Sequence, residues 1–169
     1  FGGALGVVSS EEVQQRQVPV VASLGFMAEA TSENIMVGNA MARRSMYQFG
    51  KSLPRSATGN IDTGLGKEVV YGSMGILPPN IVIDQPVQPM QIDGVNFVFY
   101  NQPGAESPAE MTFSLPDKKV FNGAENLSRT MHNLLPIRGA KARDALLWAK
   151  YLQQSLDLLA DTEIFIAQH

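Results

Sequence analysis

Between residues 92 and 121 the apolar side chains recur at every second position, and from residue 142 onward they recur about every 3.6. A change of period of this kind marks half-buried strands followed by a helix, and so demands a sheet with helices layered against it. Val95, Phe97 and Phe99 alternate with polar or smaller partners, as do Met111, Phe113 and Leu115. Ile92-Asp93-Gly94-Val95 predicts a tight hairpin, because Asp-Gly accepts the positive backbone angles that such a turn needs. Pro116-Asp117-Lys118 supplies a second turn before Val120-Phe121. Two hairpins in succession predict antiparallel pairing. Ala142, Ala145, Leu146, Ala149, Leu152, Leu156 and Leu159 then fall on one helical stripe, and Ile164-Phe165-Ile166 reads as a closing buried strand.

The first half is less regular. Ser9-Ser10-Glu11-Glu12 can open a short helix, since a serine cap precedes two first-turn acids. Val18-Pro19-Val20-Val21-Ala22 reads as a short buried strand with its proline near the start. A helix is expected from Phe26 to Gln48, weakened by roughly 1 kcal/mol at Gly38 and terminated at Gly50. The stretch 51–67 reads as a long loop, a class of segment that tends to carry function. The order is mixed α/β and does not by itself select a named fold.

With 169 residues, the chain is long enough for one domain with a real core. Sixteen acidic against 13 basic residues leave no positive field for nucleic acid. No apolar run reaches the roughly 18–20 residues that span a bilayer. Cysteine is absent. Thiolate metal sites are thereby excluded, and any transition metal must be held by His, Asp or Glu.

Glu106 and Glu125 lie 19 positions apart, each just beyond a predicted strand. Paired carboxylates in that position suit a two-cation site, because one carboxylate can bridge or neutralise both ions; otherwise they are solvated loop acids. Glu110 leads the next strand and reads as either a neighbour of such a site or a structural residue. His132 precedes an apolar pair, where a lone histidine is ordinarily a core or cap residue. Arg143 reads as a helix-start residue pairing with an acid across the fold. Neither G-x-x-x-x-G-K-[ST] nor G-x-S-x-G occurs.

Several segments together resemble the alkyl sulfatases of the metallo-β-lactamase superfamily: Pro103-Gly104-Ala105-Glu106-Ser107-Pro108-Ala109-Glu110-Met111, Gly123-Ala124-Glu125-Asn126, Thr130-Met131-His132-Asn133-Leu134-Leu135 and Ile137-Arg138-Gly139-Ala140-Lys141-Ala142-Arg143-Asp144-Ala145. Phe1-Gly2-Gly3 and Gly6-Val7-Val8 resemble the residues that follow the family's His-x-His-x-Asp-His motif. That resemblance implies an αββα sandwich, of which 1–169 would be a single partial catalytic domain, and hydrolysis of alkyl sulfate esters with two zinc ions. It implies metal roles for Glu106, Glu125 and His169, or for the residue that would follow His169. It implies His132 as proton donor to the leaving alcohol, Arg138 as the sulfate-binding fork, and Tyr71 beside the sulfate unless it is only a strand-end tyrosine. Leu127-Ser128-Arg129-Thr130 departs from the family's A-T-H-T and bears on substrate range. A homodimeric parent and a periplasmic or secreted location are further expectations of the resemblance. The competing expectations are a scaffold or binding module without its metals, and a hydrolase of another ester.

Overall fold

The computed structural model describes residues 3–63, 66, 75–130, 132–137 and 139–168. Helix α1 (Ser10–Gln14) begins with the expected cap: Ser9 Oγ accepts from the Glu12 amide at 3.2 Å, and the Glu12 carboxylate accepts from the Ser9 amide at 2.8 Å. Strand β1 (Val21–Ser23) pairs in parallel with β2 (Ile81–Ile83), aligning Val21 with Ile81 and Ser23 with Ile83. Sequence reasoning missed β2, because three apolar residues show neither alternation nor helical spacing.

Asn80 holds this pair to the N-terminal segment. Its amide nitrogen donates to the carbonyls of Val13 and Val18 at 3.0 and 2.9 Å, and its oxygen accepts from the Val20 amide at 2.8 Å. Asn80→Ala is expected to cost about 2 kcal/mol, since three part-buried backbone groups lose their partner. Thermal unfolding should drop by about 4–8 °C; a drop under about 2 °C would show that water replaces the clasp.

The helix expected over 26–48 is two helices, α2 (Phe26–Met36) and α3 (Gly38–Phe49). They separate at Val37, whose φ of −117° and ψ of 2° leave the helical region, beside the glycine least able to enforce helix. Gly50 ends α3 in the left-handed conformation at φ 61°, as expected.

The main sheet runs β3 (Val87–Ile92), β4 (Val95–Asn101), β5 (Met111–Leu115), β6 (Val120–Asn122), β7 (Ile164–Ile166), in that spatial order. The first four pair antiparallel, and β7 joins β6 in parallel. Asp93 and Gly94 take φ of 49° and 75°, as the hairpin predicted. Phe97 and Phe99 of β4 stack with centroids 5.5 Å apart, and Phe113 of β5 lies tilted against both at 5.8 Å. Strand β7 is a correction: it is exposed rather than buried, because it stands at the sheet's edge with only β6 beside it among the described residues.

Helix α4 (Ala145–Leu158) starts at the Asp144 cap, which accepts from the Leu147 amide at 2.9 Å. Its buried face also differs from expectation. Trp148 and Ser155 are buried, while Leu146, Leu152 and Leu156 of the expected stripe are exposed. The indole N–H bonds the Asn126 carbonyl at 2.9 Å, and Ser155 satisfies its hydroxyl on the Tyr151 carbonyl at 2.8 Å. A pattern weighted by leucine and alanine misses a face set by one anchored tryptophan. No described helix is long and apolar enough to cross a membrane.

Candidate metal centre

Two loops meet beyond the ends of β4 and β6. The first, 102–110, is closed at its base where the Gln102 amide donates to the Glu110 carbonyl at 2.9 Å, and turned by Gly104 at φ 79°. Glu106 sits at its crest, with a side chain only 7% exposed. The second loop carries Glu125. Gly123 has no room for a side chain, since an added Cβ would stand 2.8–2.9 Å from Leu127 and Phe165. Ala124 follows in the left-handed region at φ 48°, an unfavourable conformation for alanine. It is held there by its amide bond to Asn122 Oδ1 at 2.8 Å and by the Gln168 amide on its carbonyl at 3.0 Å. That turn leads into Glu125, which lines the same cavity as Glu106.

Asn126 joins the loops. Its oxygen accepts from the Glu106 amide at 3.3 Å, its nitrogen donates to Gln102 Oε1 at 2.8 Å, and its carbonyl takes the Trp148 indole. Asn126 is 2% exposed, so this network lies in the protein interior, where every satisfied bond restricts the loops' positions. Sequence reasoning quoted Asn126 only as part of a motif; a buried asparagine next to a candidate ligand is the signal that could have found it.

His132 lies between the two carboxylates. Its Nδ1 is 3.7 Å from Glu106 Oε1 and its Nε2 is 3.5 Å from Glu125 Oε2. One donor atom from each of Glu106, Glu125 and His132 falls within 4.8 Å of the others. Two ligands of a four-coordinate zinc, each about 2.0–2.1 Å from the ion, stand about 3.3 Å apart. The two separations run to different ring nitrogens, so what bears on a single ion is the 4.8 Å spread of one donor atom from each residue, and an oxygen, oxygen, nitrogen donor set is chemistry that zinc accepts. The residues present therefore fit a divalent metal, with His132 placed either as a third donor or as a proton carrier beside the carboxylates. The ring also packs against Trp148, with centroids 6.1 Å apart.

Arg143 donates to Glu106 Oε1 at 2.5 Å, so the acid across the fold that it pairs with is the candidate ligand itself. Glu110 belongs to the same neighbourhood rather than to the strand alone. Burial pushes its carboxyl up to about 8; its bond from the Met111 amide opposes this, and the charges of Glu106 and Glu125 add to it. An open cavity of about 590 Å³ lies beside these groups, and its lining includes the polar Glu106, Glu110, Glu125 and Arg143 and the apolar Phe26, Leu77, Met111 and Phe113. Of the residues singled out in the sequence, Glu106, Glu125 and His132 come together. Arg138, Tyr71 and His169 lie outside the described residues.

No family model matches the chain. It is 42% identical over its whole length to the alkyl/aryl-sulfatase BDS1 of Saccharomyces cerevisiae, of which it covers 26%. It superposes on the stereoselective inverting sec-alkylsulfatase of Pseudomonas sp. with a TM-score of 0.87 and 42% identity, over 100% of this chain and 27% of that one. The chain is homologous to the alkyl sulfatases. It spans about a quarter of the length of the curated relatives it matches. An archaeal metallo-β-lactamase superfamily protein from Sulfolobus tokodaii shares the fold at a TM-score of 0.51 and 12% identity, over 94% of this chain and 54% of that one. The α/β arrangement of this alkyl sulfatase homologue is thus that of the metallo-β-lactamase fold, as the resemblance implied.

Proposed function

We propose that the protein carrying this chain hydrolyses alkyl sulfate esters to an alcohol and inorganic sulfate, with residues 1–169 forming part of its catalytic domain. The convergence of Glu106, Glu125 and His132 within 4.8 Å carries the reading, and the homology to alkyl sulfatases names the substrate class. Glu106 and Glu125 would hold metal, with His169 a further candidate. Zinc, when bound, supplies a Lewis acid that brings the pKa of water close to neutrality.

The chain's own residues do the rest. His132, placed 3.7 Å from Glu106 and 3.5 Å from Glu125, is the proposed proton donor to the alcohol oxygen as the ester bond breaks. That transfer matters because an alkoxide is a poor leaving group. The apolar lining residues Phe26, Leu77, Met111 and Phe113 are the proposed contacts of the alkyl chain, from which they would exclude water. Arg138 is the proposed partner of the sulfate oxygens, through two parallel hydrogen bonds.

The test is zinc content and hydrolysis of dodecyl sulfate by the purified protein, measured together with His132→Gln. About two zinc ions per chain and turnover reduced roughly a hundredfold or more in the variant, with zinc retained, are expected. Zinc lost along with His132 would make it a ligand instead. Neither zinc nor hydrolysis would favour the binding-module reading.

A further inference from the structure

We infer that Arg143 is a positioning residue that clamps the Glu106 carboxylate and the His132 segment into one rigid unit. Three bonds converge on this single residue. Its Nη2 donates to Glu106 Oε1 and its Nη1 to the Asn133 carbonyl, both at 2.5 Å, while its backbone amide donates to the Leu134 carbonyl at 2.8 Å. Its side chain is 12% exposed. Only a guanidinium can make the two side-chain bonds together, because its donors spread in a fixed plane while a lysine ammonium is a single point. One arm occupies Glu106 Oε1, which fixes the plane of the carboxylate and directs the other oxygen elsewhere. The other arm holds the residue next to His132. The histidine and the glutamate, 26 positions apart in the sequence, therefore share one support, and the Asp144 amide anchors it to the Gly104 carbonyl at 3.2 Å.

The consequence for metal rests on the reading proposed above. A ligand whose free oxygen is already oriented binds an ion without first losing torsional freedom, and outer partners of this type commonly change metal affinity by about 10–100-fold. A cation beside the site also repels a metal ion, so removing the charge would mix two opposing effects. Arg143→Lys keeps the charge and loses the fork, which isolates geometry.

The experiment uses the chain as it is and reads two quantities in Arg143→Lys and in Asn80→Ala, the latter destabilised by losing bonds to Val13, Val18 and Val20 that involve none of Glu106, His132 and Arg143. The first is the ring resonances of His132 without metal at fixed pH. They are readily assigned because the chain has two histidines and His132→Gln removes one set. The second is the zinc dissociation constant, by competition with a chromophoric chelator. The clamp predicts shifted His132 resonances and zinc bound about tenfold or more weakly in Arg143→Lys, with Asn80→Ala close to wild type in both. Resonances unchanged in Arg143→Lys, or displaced as far in Asn80→Ala, overturn the inference. A wild-type chain that takes up no zinc rejects the metal centre rather than the clamp, and the His132 resonances then decide the clamp alone.

Discussion

Trp148→Ala is expected to lower the stability of the chain by about 3–5 kcal/mol, the range for removing a large buried aromatic. Trp148 is 2% exposed and is the largest fully buried side chain described. Two terms add. The first is the apolar area and the void left behind the loops. The second is the buried Asn126 carbonyl, which loses the indole donor at 2.9 Å. In a domain of this size the melting temperature should fall by about 10 °C or more. Trp148→Phe separates the terms, since it keeps most of the ring and removes only the donor; it should cost about 1–2 kcal/mol. Urea unfolding of both variants is the check. A loss under about 1 kcal/mol for Trp148→Ala would mean that α4 does not seat the two loops.

In the presence of a chelator, the stability of the chain is expected to fall as the pH rises from about 4.5 to about 8. The Glu110 carboxyl is pushed up to about 8 in the fold, chiefly by burial, from an ordinary value of 4.5. Between those values the folded chain keeps a proton that the unfolded chain has released. Stability then decreases with pH, because the unfolded state binds fewer protons than the native one. The contribution is complete below about pH 4.5 and gone above about pH 8, and its size is on the order of 5 kcal/mol. Glu110→Gln, neutral at every pH, should flatten the fall and leave the variant more stable than wild type at pH 8.5. Unfolding curves at pH 5, 6.5 and 8.5 decide it. A wild-type stability that rises across this window, or the same slope in the Gln variant, would contradict the origin assigned here.

The local rules performed unevenly, and the reasons are physical. The Asp93-Gly94 hairpin and the Gly50 terminator were legible because each turns on one residue's backbone preference, which acts within a few positions. The four-strand antiparallel run was legible for a related reason: period-two alternation is itself a record of a sheet with unlike faces. The break at Val37 was not, since a glycine within a helical pattern can weaken a helix or end it, and packing chooses. Strand β7 was misjudged because Ile164-Phe165-Ile166 has the composition of a buried strand, and composition says nothing of which edge is covered. The α4 face failed for the complementary reason: its orientation is set by one indole bonded to a carbonyl 22 residues away.

In the candidate site, residue types and motif spacing were enough to select Glu106, Glu125 and His132 and, through homology, to name a chemistry for them. That much is determined by the sequence, because ligand chemistry belongs to the side chain. What only the tertiary structure decided is how they meet. It placed His132 between the two carboxylates, drew Glu110 into a neighbourhood where burial holds its proton, and made Glu106 the acid across the fold with which Arg143 pairs. Distances of a few ångströms between residues 7 to 37 positions apart depend on where loops end and which faces pack. Those outcomes are settled by many weak contacts acting together, of which no single stretch of sequence holds a record.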